Sequence, residues 1–394
     1  MSTGAVDAGS ASSGAGADIG GATSAAGATS GGRSSTGGDV GAGAPGEVAG
    51  GAPAEVAGGA PGRGGEPNQG GAGGEPSAPS CDPIVFDDPD FEFAVRASVN
   101  KPAEALTSAD VAGLTFVAAS GIKSIRGAEC LTDLTSFDIS GLPWGKVSDL
   151  SPLANLKKLE DASVGYNPIA SLEALRNLPK LRQLFMSHVP VSLDLSPLAD
   201  SPVLDLLFLE FDTLVDLSPL GNVKTLRTIY LRDATLQHPE GVAKLTSLEE
   251  LDASGVFSDA APIASLTKLK KLRLGRKQLA NFSALATLTN LEFLDINQAQ
   301  VTDFNPLSKM TKLRQFSAFG QQASDLSPLR DLPLLDYLVV IDNQVTDLTP
   351  LVENQNLGDG DAVWLQKNPF SCVEQAANIA ALKARGVEVN SDCP

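Results

Sequence analysis

The sequence predicts an α/β solenoid. We expect a curved horseshoe of stacked coils with a parallel β-sheet on the concave face, short 3₁₀ turns on the convex side and helical caps at both ends. Two observations predict it. An apolar pattern, Leu-x-x-Leu-x-x-Leu-x-Leu, recurs with a step of 22 residues nearly everywhere. The five residues DLSPL also return at 149–153, 194–198, 216–220 and 325–329, with near-copies at 303–307 and 347–351.

Each part of the repeated unit has a physical role. The Leu-x-Leu pair predicts a short strand whose alternate residues point into the core. In DLSPL, Asp can accept a backbone N–H as an N-cap or in an Asx turn, and Pro presets φ at the first helical residue. One coil cannot bury its own leucines, so neighbouring coils must stack. A period of this length is typical of a leucine-rich-repeat solenoid.

Composition divides the chain into four predicted segments. Residues 1–80 are mostly Gly, Ala, Ser and Pro and contain no Phe, Tyr or Trp, so we predict a disordered tether. Residues 81–130 are predicted to form an N-terminal cap and a degenerate first repeat. Residues 131–365 then hold about ten 22-residue repeats, and 366–394 form a C-terminal cap.

The chain is strongly acidic, with a formal net charge of −18. Seven acidic and two basic residues lie in 1–80, so −13 of this charge belongs to 81–394. An acidic surface argues against nucleic acid or anionic lipid as the main partner. No apolar run is long enough to span a membrane, and the opening MSTGAVDAGS has no visible signal peptide.

The four cysteines fall as two pairs, one at each end of the predicted ordered region. They are Cys81 and Cys130, then Cys372 and Cys393. No CxxC or Cys/His spacing suggests a metal site. We therefore predict two terminal disulfides, Cys81–Cys130 and Cys372–Cys393, and an oxidising compartment. Four buried free thiols are the alternative.

Over about residues 84–394 the chain resembles the internalin-like leucine-rich-repeat proteins of bacteria. The likeness rests on the 22-residue step, the DLSPL turns and both caps. The caps read FDDPDFEFAVRASVNKPAEALTSADVAGL and NPFSCVEQAANIAALKARGVEVNSDC. The resemblance implies a secreted or surface-anchored protein, since many members are, and a partner bound on the concave sheet.

One departure from this family concerns an asparagine expected three residues after the last strand leucine. Asn167, Asn343 and Asn368 keep it. Elsewhere other residues stand at or beside this position: His188, Val189, Asp212, Ala234, Val256, Lys277, Ala299 and Gln321. We therefore expect looser or water-filled turns in the middle of the array. The unit that begins at Leu131 also carries three extra residues around GLPWGK.

The strand position between the two inward residues faces the concave surface and forms a column. Three successive members are aromatic, namely Phe185, Phe208 and Tyr230. We predict a partner-binding site on these three residues, with Phe211 and the charged Glu210 and Arg232 at its edge. The alternative is a stacked ladder that only stiffens the sheet, worth about 0.5–1.5 kcal/mol per pair.

Three further features of the predicted surface leave alternatives open. Asp252, Arg273 and Asp295 follow in the same column and predict a cross-strand salt bridge, or less directly a charged contact for a partner. Trp144 either folds over the N-terminal coils or reaches a partner. A second apolar stretch, near the C-terminal end, either binds or is covered by the cap: Phe319, Tyr337, Val339, Ile341 and Trp364.

The sequence indicates no enzyme. The two histidines, His188 and His238, lie about two repeats apart, and His188 is interpreted as a solvated turn residue, with a contact at the rim of the site as the alternative. H-E-x-x-H, G-x-S-x-G and P-loop motifs are missing. Calcium could bridge the repeated Asp of DLSPL, but N-capping explains each Asp without it. We predict no catalytic residue, no metal and no cofactor.

The predicted function is non-enzymatic recognition by a secreted or surface-displayed monomer. We expect the partner to be another protein, with a surface glycan as an open alternative. A structural spacer or stalk without a specific ligand is the competing hypothesis.

Overall fold

A computed structural model describes residues 81–141, 144–189, 193–211 and 213–394 of the chain. The predicted tether 1–80 lies outside the described residues, as do Leu142 and Pro143 of the insertion. No helix in the described ranges is long and apolar enough to cross a membrane.

Short parallel strands are the main element of the fold. Thirteen of them form one sheet in the order β1-β2-β3-β4-β5-β7-β9-β10-β11-β12-β13-β14-β15, and β6 pairs with β8 in a second sheet. The strands are β1 Phe116–Ala118, β2 Ser136–Asp138, β3 Asp161–Ser163, β4 Gln183–Phe185, β5 Leu206–Phe208, β6 Thr213–Asp216, β7 Thr228–Tyr230, β8 Thr235–His238, β9 Glu250–Asp252, β10 Lys271–Arg273, β11 Phe293–Asp295, β12 Gln315–Ser317, β13 Tyr337–Val339, β14 Ala362–Trp364 and β15 Glu388–Asn390.

The large sheet separates the core from the concave face. In strands β1 to β14 of this sheet the middle residue is buried, as for Leu207 in β5 and Leu272 in β10. The buried residues of successive coils join into one hydrophobic core that runs through the array. The predicted leucine-rich-repeat solenoid is therefore confirmed, and the side chains on either side of each inward residue face outward.

The return leg of each coil carries a short helical turn, as predicted. In every DLSPL-like motif an Asp Oδ1 accepts the backbone N–H two residues later, for example Asp149 from Ser151 at 2.8 Å and Asp325 from Ser327 at 2.8 Å. Of the two predicted alternatives, an N-cap and an Asx turn, the Asp therefore forms the Asx turn. The 3₁₀ turns are Ala128–Cys130, Ser151–Leu153, Glu173–Leu175, Ser196–Leu198, Ser218–Asn222, Pro239–Lys244, Ala261–Ile263, Phe282–Thr287, Asn305–Lys309 and Ser327–Leu329.

The two-stranded sheet β6–β8 was not anticipated from the sequence. It lies after the main strands of two successive coils and pairs Thr213 with Thr235 and Asp216 with His238. A parallel bridge between Leu193 and Leu214 extends this pairing to the preceding coil. The β-branched residues Thr213 and Thr235 lie in extended backbone here. Neighbouring coils are therefore joined by strand pairing at this second place as well as in the main sheet.

Buried amide side chains tie some turns to the neighbouring coil. The Asn167 amide donates to the carbonyls of Ile139 and Gly165, each at 3.0 Å, and its Oδ1 accepts from Val147 N at 3.2 Å. A Cβ on Gly145 would lie 1.9 Å from that Oδ1, so glycine is required there. Asn343 and Asn368 donate in the same way to carbonyls of the preceding coil.

The expectation of looser turns in the middle of the array is wrong for the coil that contains Gln321. Gln321 reproduces the asparagine contacts, because its Nε2 donates to Ile296 O at 2.7 Å and its Oε1 accepts from Val301 N at 2.7 Å. In other coils a buried apolar side chain occupies this position. These residues are Val189, Ala234, Val256 and Ala299.

We expect Asn167→Ala to lower the free energy of unfolding by about 2–4 kcal/mol, because it leaves buried backbone groups without partners. Asn167 is fully buried, whereas Asn290 makes its bond to Thr267 O from an exposed position. Asn290→Ala is therefore the control, with an expected loss under about 1 kcal/mol. Denaturant unfolding measures both, and equal losses would contradict this role of Asn167.

Both ends of the array are capped and cross-linked. Helix α1, Pro89–Val99, begins at Asp88, whose Oδ1 accepts from Asp90 N while its Oδ2 accepts from Lys123 N at 2.6 Å. This one carboxylate fixes the N-terminal helix to the first coils. The structure contains the predicted disulfide between Cys81 and Cys130.

The C-terminal cap combines two short helices and the last strand. Helix α2 is Thr349–Glu353 and helix α3 is Ala376–Ala384. Ile379 and Leu382 of α3 are buried, and Cys372 precedes the helix. Strand β15 then pairs with β14, and the second predicted disulfide joins Cys372 to Cys393.

Candidate functional site

Sheet register brings the three predicted aromatic residues into direct contact. Phe185 pairs with Phe208 across β4 and β5, and Phe208 pairs with Tyr230 across β5 and β7. The ring centroids are 5.3 Å apart in the first pair and 4.2 Å in the second, with interplanar angles of 27° and 22°. All three side chains are half-buried on the concave face. We call Phe185, Phe208 and Tyr230 the concave ladder.

Phe211 belongs to a second row of aromatic rings beside the concave ladder. Its ring lies 4.6 Å from His188, which stacks at 4.5 Å on Tyr166 with an angle of 11°. Trp144 packs edge-on against Tyr166, at 5.3 Å, and His188, at 6.0 Å. We call Trp144, Tyr166, His188 and Phe211 the turn ladder. The sequence placed Phe211 at the edge of the site but did not reveal this row.

The turn ladder occupies a backbone position that disfavours large side chains. Tyr166, His188 and Phe211 have φ of 62°, 64° and 61°, in the left-handed region that favours Gly, Asn and Asp. The same position, two residues after the last inward strand residue, recurs in each coil from that of β3 to that of β14. It forms what we call the left-handed column: Tyr166, His188, Phe211, Asp233, Gly255, Arg276, Gln298, Gly320, Asp342 and Lys367. Comparing that column across repeats would have found three consecutive aromatics.

His188 lies in a turn, as expected, but its ring is half-buried between two other rings rather than solvated. Its ring lies between Tyr166 and Phe211, and its Nδ1 is buried without a hydrogen-bond partner among the described residues. His238 lies on β8, where its exposed ring has Nδ1 3.0 Å from Glu240 Oε1. The two histidines therefore occupy separate surroundings, as the sequence predicted.

Charged side chains border the concave ladder on its C-terminal side. Arg232 Nη2 donates to Asp252 Oδ2 at 2.9 Å, and its Nε lies 4.0 Å from Glu210 Oε1. Burial raises the pKa of the Glu210 carboxyl above its ordinary value, although Arg232 opposes the shift. The Tyr230 hydroxyl donates to Glu250 Oε1 at 3.1 Å. Glu210 and Arg232 thus lie together at the edge of the aromatic rings.

The predicted salt bridge from Arg273 to Asp252 and Asp295 is wrong. Asp252 is almost fully buried and pairs with Arg232. Arg273 pairs instead with Glu250, at 3.6 Å, and its guanidinium lies 4.5 Å from the centre of the Phe293 ring. The long Arg side chain reaches a neighbouring position on the same face, which a column of residue types does not reveal.

The second apolar stretch lies beside the C-terminal cap. Strand β15 pairs Asn390 with Trp364 and so protects the backbone edge of β14. Trp364 Nε1 and Gln366 Oε1 are buried without hydrogen-bond partners among the described residues. Tyr337 remains 38% exposed. The cap therefore covers the sheet edge but leaves part of this stretch open to solvent.

No group of three or more side chains that could hold a metal ion occurs in the part of the chain that the structure describes. The carboxylates of the repeated Asp residues instead hold their own turns. What the concave face offers is aromatic edges, a few charges and a rigid backbone. Such a surface can bind a partner by contact area and shape.

A capped stack of 22-residue coils with one long parallel sheet defines a leucine-rich-repeat protein. No protein-family profile and no curated protein matches the chain. Among solved structures, the chain is 30% identical to the internalin InlF of Listeria monocytogenes, over 80% of its own length and 93% of that chain, with a TM-score of 0.69. The chain belongs to the internalin family.

Two further solved structures match less well. Internalin C2 of the same organism is 26% identical, over 73% of this chain and 98% of that one, with a TM-score of 0.31. A leucine-rich-repeat protein of Leptospira interrogans is 18% identical, over 68% of this chain and 93% of that one, with a TM-score of 0.44.

Proposed function

We propose that this protein is a non-enzymatic recognition module that binds another protein on its concave face. The contact centres on Phe185, Phe208 and Tyr230, with Phe211, Glu210 and Arg232 at its edge. The observation that carries the proposal is the concave ladder itself. Outward strand positions can be polar without loss of core burial, yet three adjacent ones are aromatic. Rigid aromatic rings give a large contact area for a small loss of entropy.

Stiffening of the sheet is a weaker explanation for the concave ladder. The same column holds Asp138 and Ser163 on the N-terminal side and Asp295 and Ser317 further along. Those strands keep the same parallel register without stacked rings. Pairing of the coils therefore does not depend on aromatic residues at this position, which supports selection for a partner.

We further propose that the protein acts outside the cell or at the cell surface. Both terminal coils are closed by a disulfide, and disulfides persist in oxidising environments. The family membership supports the same location. The segment 1–80 would then serve as a tether between the array and its point of attachment, with 81–130, 131–365 and 366–394 as cap, array and cap.

A structural spacer is the second candidate function. Ion pairs link successive coils along the edge where the strands begin, among them Lys270 with Glu249 at 2.7 Å and Arg182 with Asp205 at 3.8 Å. Together with the continuous core, these ion pairs favour a stiff array. A spacer needs this stiffness and no ligand.

Affinity capture from cell-surface extracts separates the two functions. The full chain, its Phe208→Ala variant and its Ser317→Ala variant are immobilised in parallel. Ser317 occupies the same column as Phe208 and is also half-buried, so it is a matched control. We expect a protein that is retained by the wild type and by Ser317→Ala and lost from Phe208→Ala. Identical capture by all three chains would favour the spacer.

A further inference from the structure

The turn ladder combines two unfavourable features that the fold does not require. Two large rings, Tyr166 and Phe211, adopt left-handed backbone next to His188, whereas Gly255 and Gly320 take the same position in other coils. His188 in addition keeps a buried Nδ1 without a partner among the described residues. Strain and unsatisfied polar atoms that persist together are typical of functional sites. Folding alone would favour small residues at these positions.

The orientation of the rings limits what they can bind. Both faces of Phe208 are covered by Phe185 and Tyr230, and His188 lies between Tyr166 and Phe211. The central rings therefore present their edges to solvent. A sugar stacks its C–H bonds on the negative face of an aromatic ring, whereas the edges are positive. Apolar side chains and the faces of a partner's aromatic rings fit such edges better than a glycan.

Charge differs between the two sides of these ladders. On the C-terminal side Arg232 is engaged by Asp252, and Arg276 pairs with Asp233 at 2.7 Å. On the N-terminal side Asp138 and Asp161 face outward from β2 and β3 and have no salt bridge among the residues that the structure describes. Burial raises the pKa of the Asp161 carboxyl, although Arg182 of the next coil opposes the shift, and a cation of the partner would oppose it further. A partner therefore gains from positive charge at that end.

We propose that the turn ladder extends the concave site, and that the two ladders together bind a protein segment with apolar side chains flanked by Lys or Arg. This inference rests on the proposed function and names the chemistry of its partner. The apolar side chains contact the aromatic edges of Phe208, Tyr230 and Phe211. The basic residues of the partner lie over Asp138 and Asp161.

Glycine substitution in the left-handed column separates binding from folding. Tyr166→Gly and Phe211→Gly remove a ring and also relieve backbone strain, so we expect stability to change little. Asp342→Gly is the matched control, because Asp342 has φ 57° in the same column but lies far along the array. It also places glycine at a positive φ, with a smaller change of backbone preference, and removes no ring.

The test uses the full chain with Trp364→Phe, which leaves Trp144 of the turn ladder as the one remaining tryptophan. Twelve-residue peptides are selected from a random displayed library, and selected peptides are titrated while Trp144 emission is followed. We expect enrichment of apolar residues with Lys or Arg. Affinity should fall at least tenfold in Phe208→Ala and Phe211→Gly and at least threefold in Tyr166→Gly, and stay unchanged in Asp342→Gly. Asp138→Asn with Asp161→Asn should weaken the binding of basic peptides.

Each other outcome overturns a defined part of the proposal. If Phe208→Ala abolishes binding while Tyr166→Gly and Phe211→Gly do not, the turn ladder is no part of the site, although the proposed function stands. If peptides bind equally to all variants, or none is enriched, the proposed function itself fails for peptides. Enrichment of acidic peptides would refute the charge assignment. Quenching of Trp144 by cellohexaose or chitohexaose, lost in Phe211→Gly, would replace the protein partner by a glycan.

Discussion

Phe208→Ala should weaken partner binding by about 2 kcal/mol or more, because it removes the centre of the concave ladder. Leu207→Ala, at the neighbouring residue, should leave the partner affinity of the folded protein unchanged. The two residues adjoin on β5, but Leu207 is fully buried and Phe208 faces outward between two rings. Titration of the captured partner, or of a selected peptide, measures the binding loss.

Stability should respond in the opposite order. Leu207→Ala opens a cavity in the continuous core and should lower the free energy of unfolding by about 2–5 kcal/mol. Phe208→Ala loses two stacked contacts, each worth about 0.5–1.5 kcal/mol. Denaturant unfolding of both variants provides the comparison. If Phe208→Ala unfolds the chain, or if it folds and leaves binding unchanged, the ladder is structural and the spacer function should replace the recognition function.

Loss of the Cys81–Cys130 disulfide should destabilise the N-terminal coils by about 4 kcal/mol, according to the loop-entropy model for a separation of 49 residues. The same model gives about 3 kcal/mol for Cys372–Cys393, whose separation is 21 residues. Each bridge is removed by paired Cys→Ala substitutions, so that no unpaired thiol remains. Thermal unfolding and hydrogen exchange in the first and last coils measure the effects.

Hydrogen exchange also localises the response to each substitution. Removal of Cys81–Cys130 should speed exchange in β1 and β2 first, since each coil contacts only its neighbours. Exchange in β10 and β11 serves as the internal control, because these strands lie far from both bridges in the sheet order. Uniform acceleration along the whole array would contradict local capping and point to one cooperative unit.

The repeating elements of this fold were predictable because each is determined by residues close together in the chain. The Asp of DLSPL bonds a backbone N–H two residues away, and the inward leucines alternate along a single strand. The concave ladder was predictable for the same reason, because the strand register places each residue beside the equivalent residue of the next coil. When a local pattern repeats at a fixed step, the residues that contact one another in successive coils can be identified from the sequence.

Features that depend on side-chain reach or backbone strain were not predictable. Arg273 pairs with Glu250 and not with the acidic residues of its own column. Gln321 takes the place of an asparagine because its side chain, longer by one methylene, still reaches the equivalent carbonyl. The residue types alone do not indicate that Tyr166 and His188 adopt left-handed backbone and stack on each other. Whether the concave site binds a partner remains a prediction that the capture experiment tests.

The left-handed column also bears on how such a protein can diversify. Its members include an aromatic, an imidazole, carboxylates, a guanidinium, an amide and glycines, all on the same backbone conformation. One site per coil therefore carries very different side chains, at a backbone cost that glycine avoids, while the buried leucines stay as they are. Specificity in such an array can evolve, or be engineered, by changing a single row of residues without changing the inward leucines.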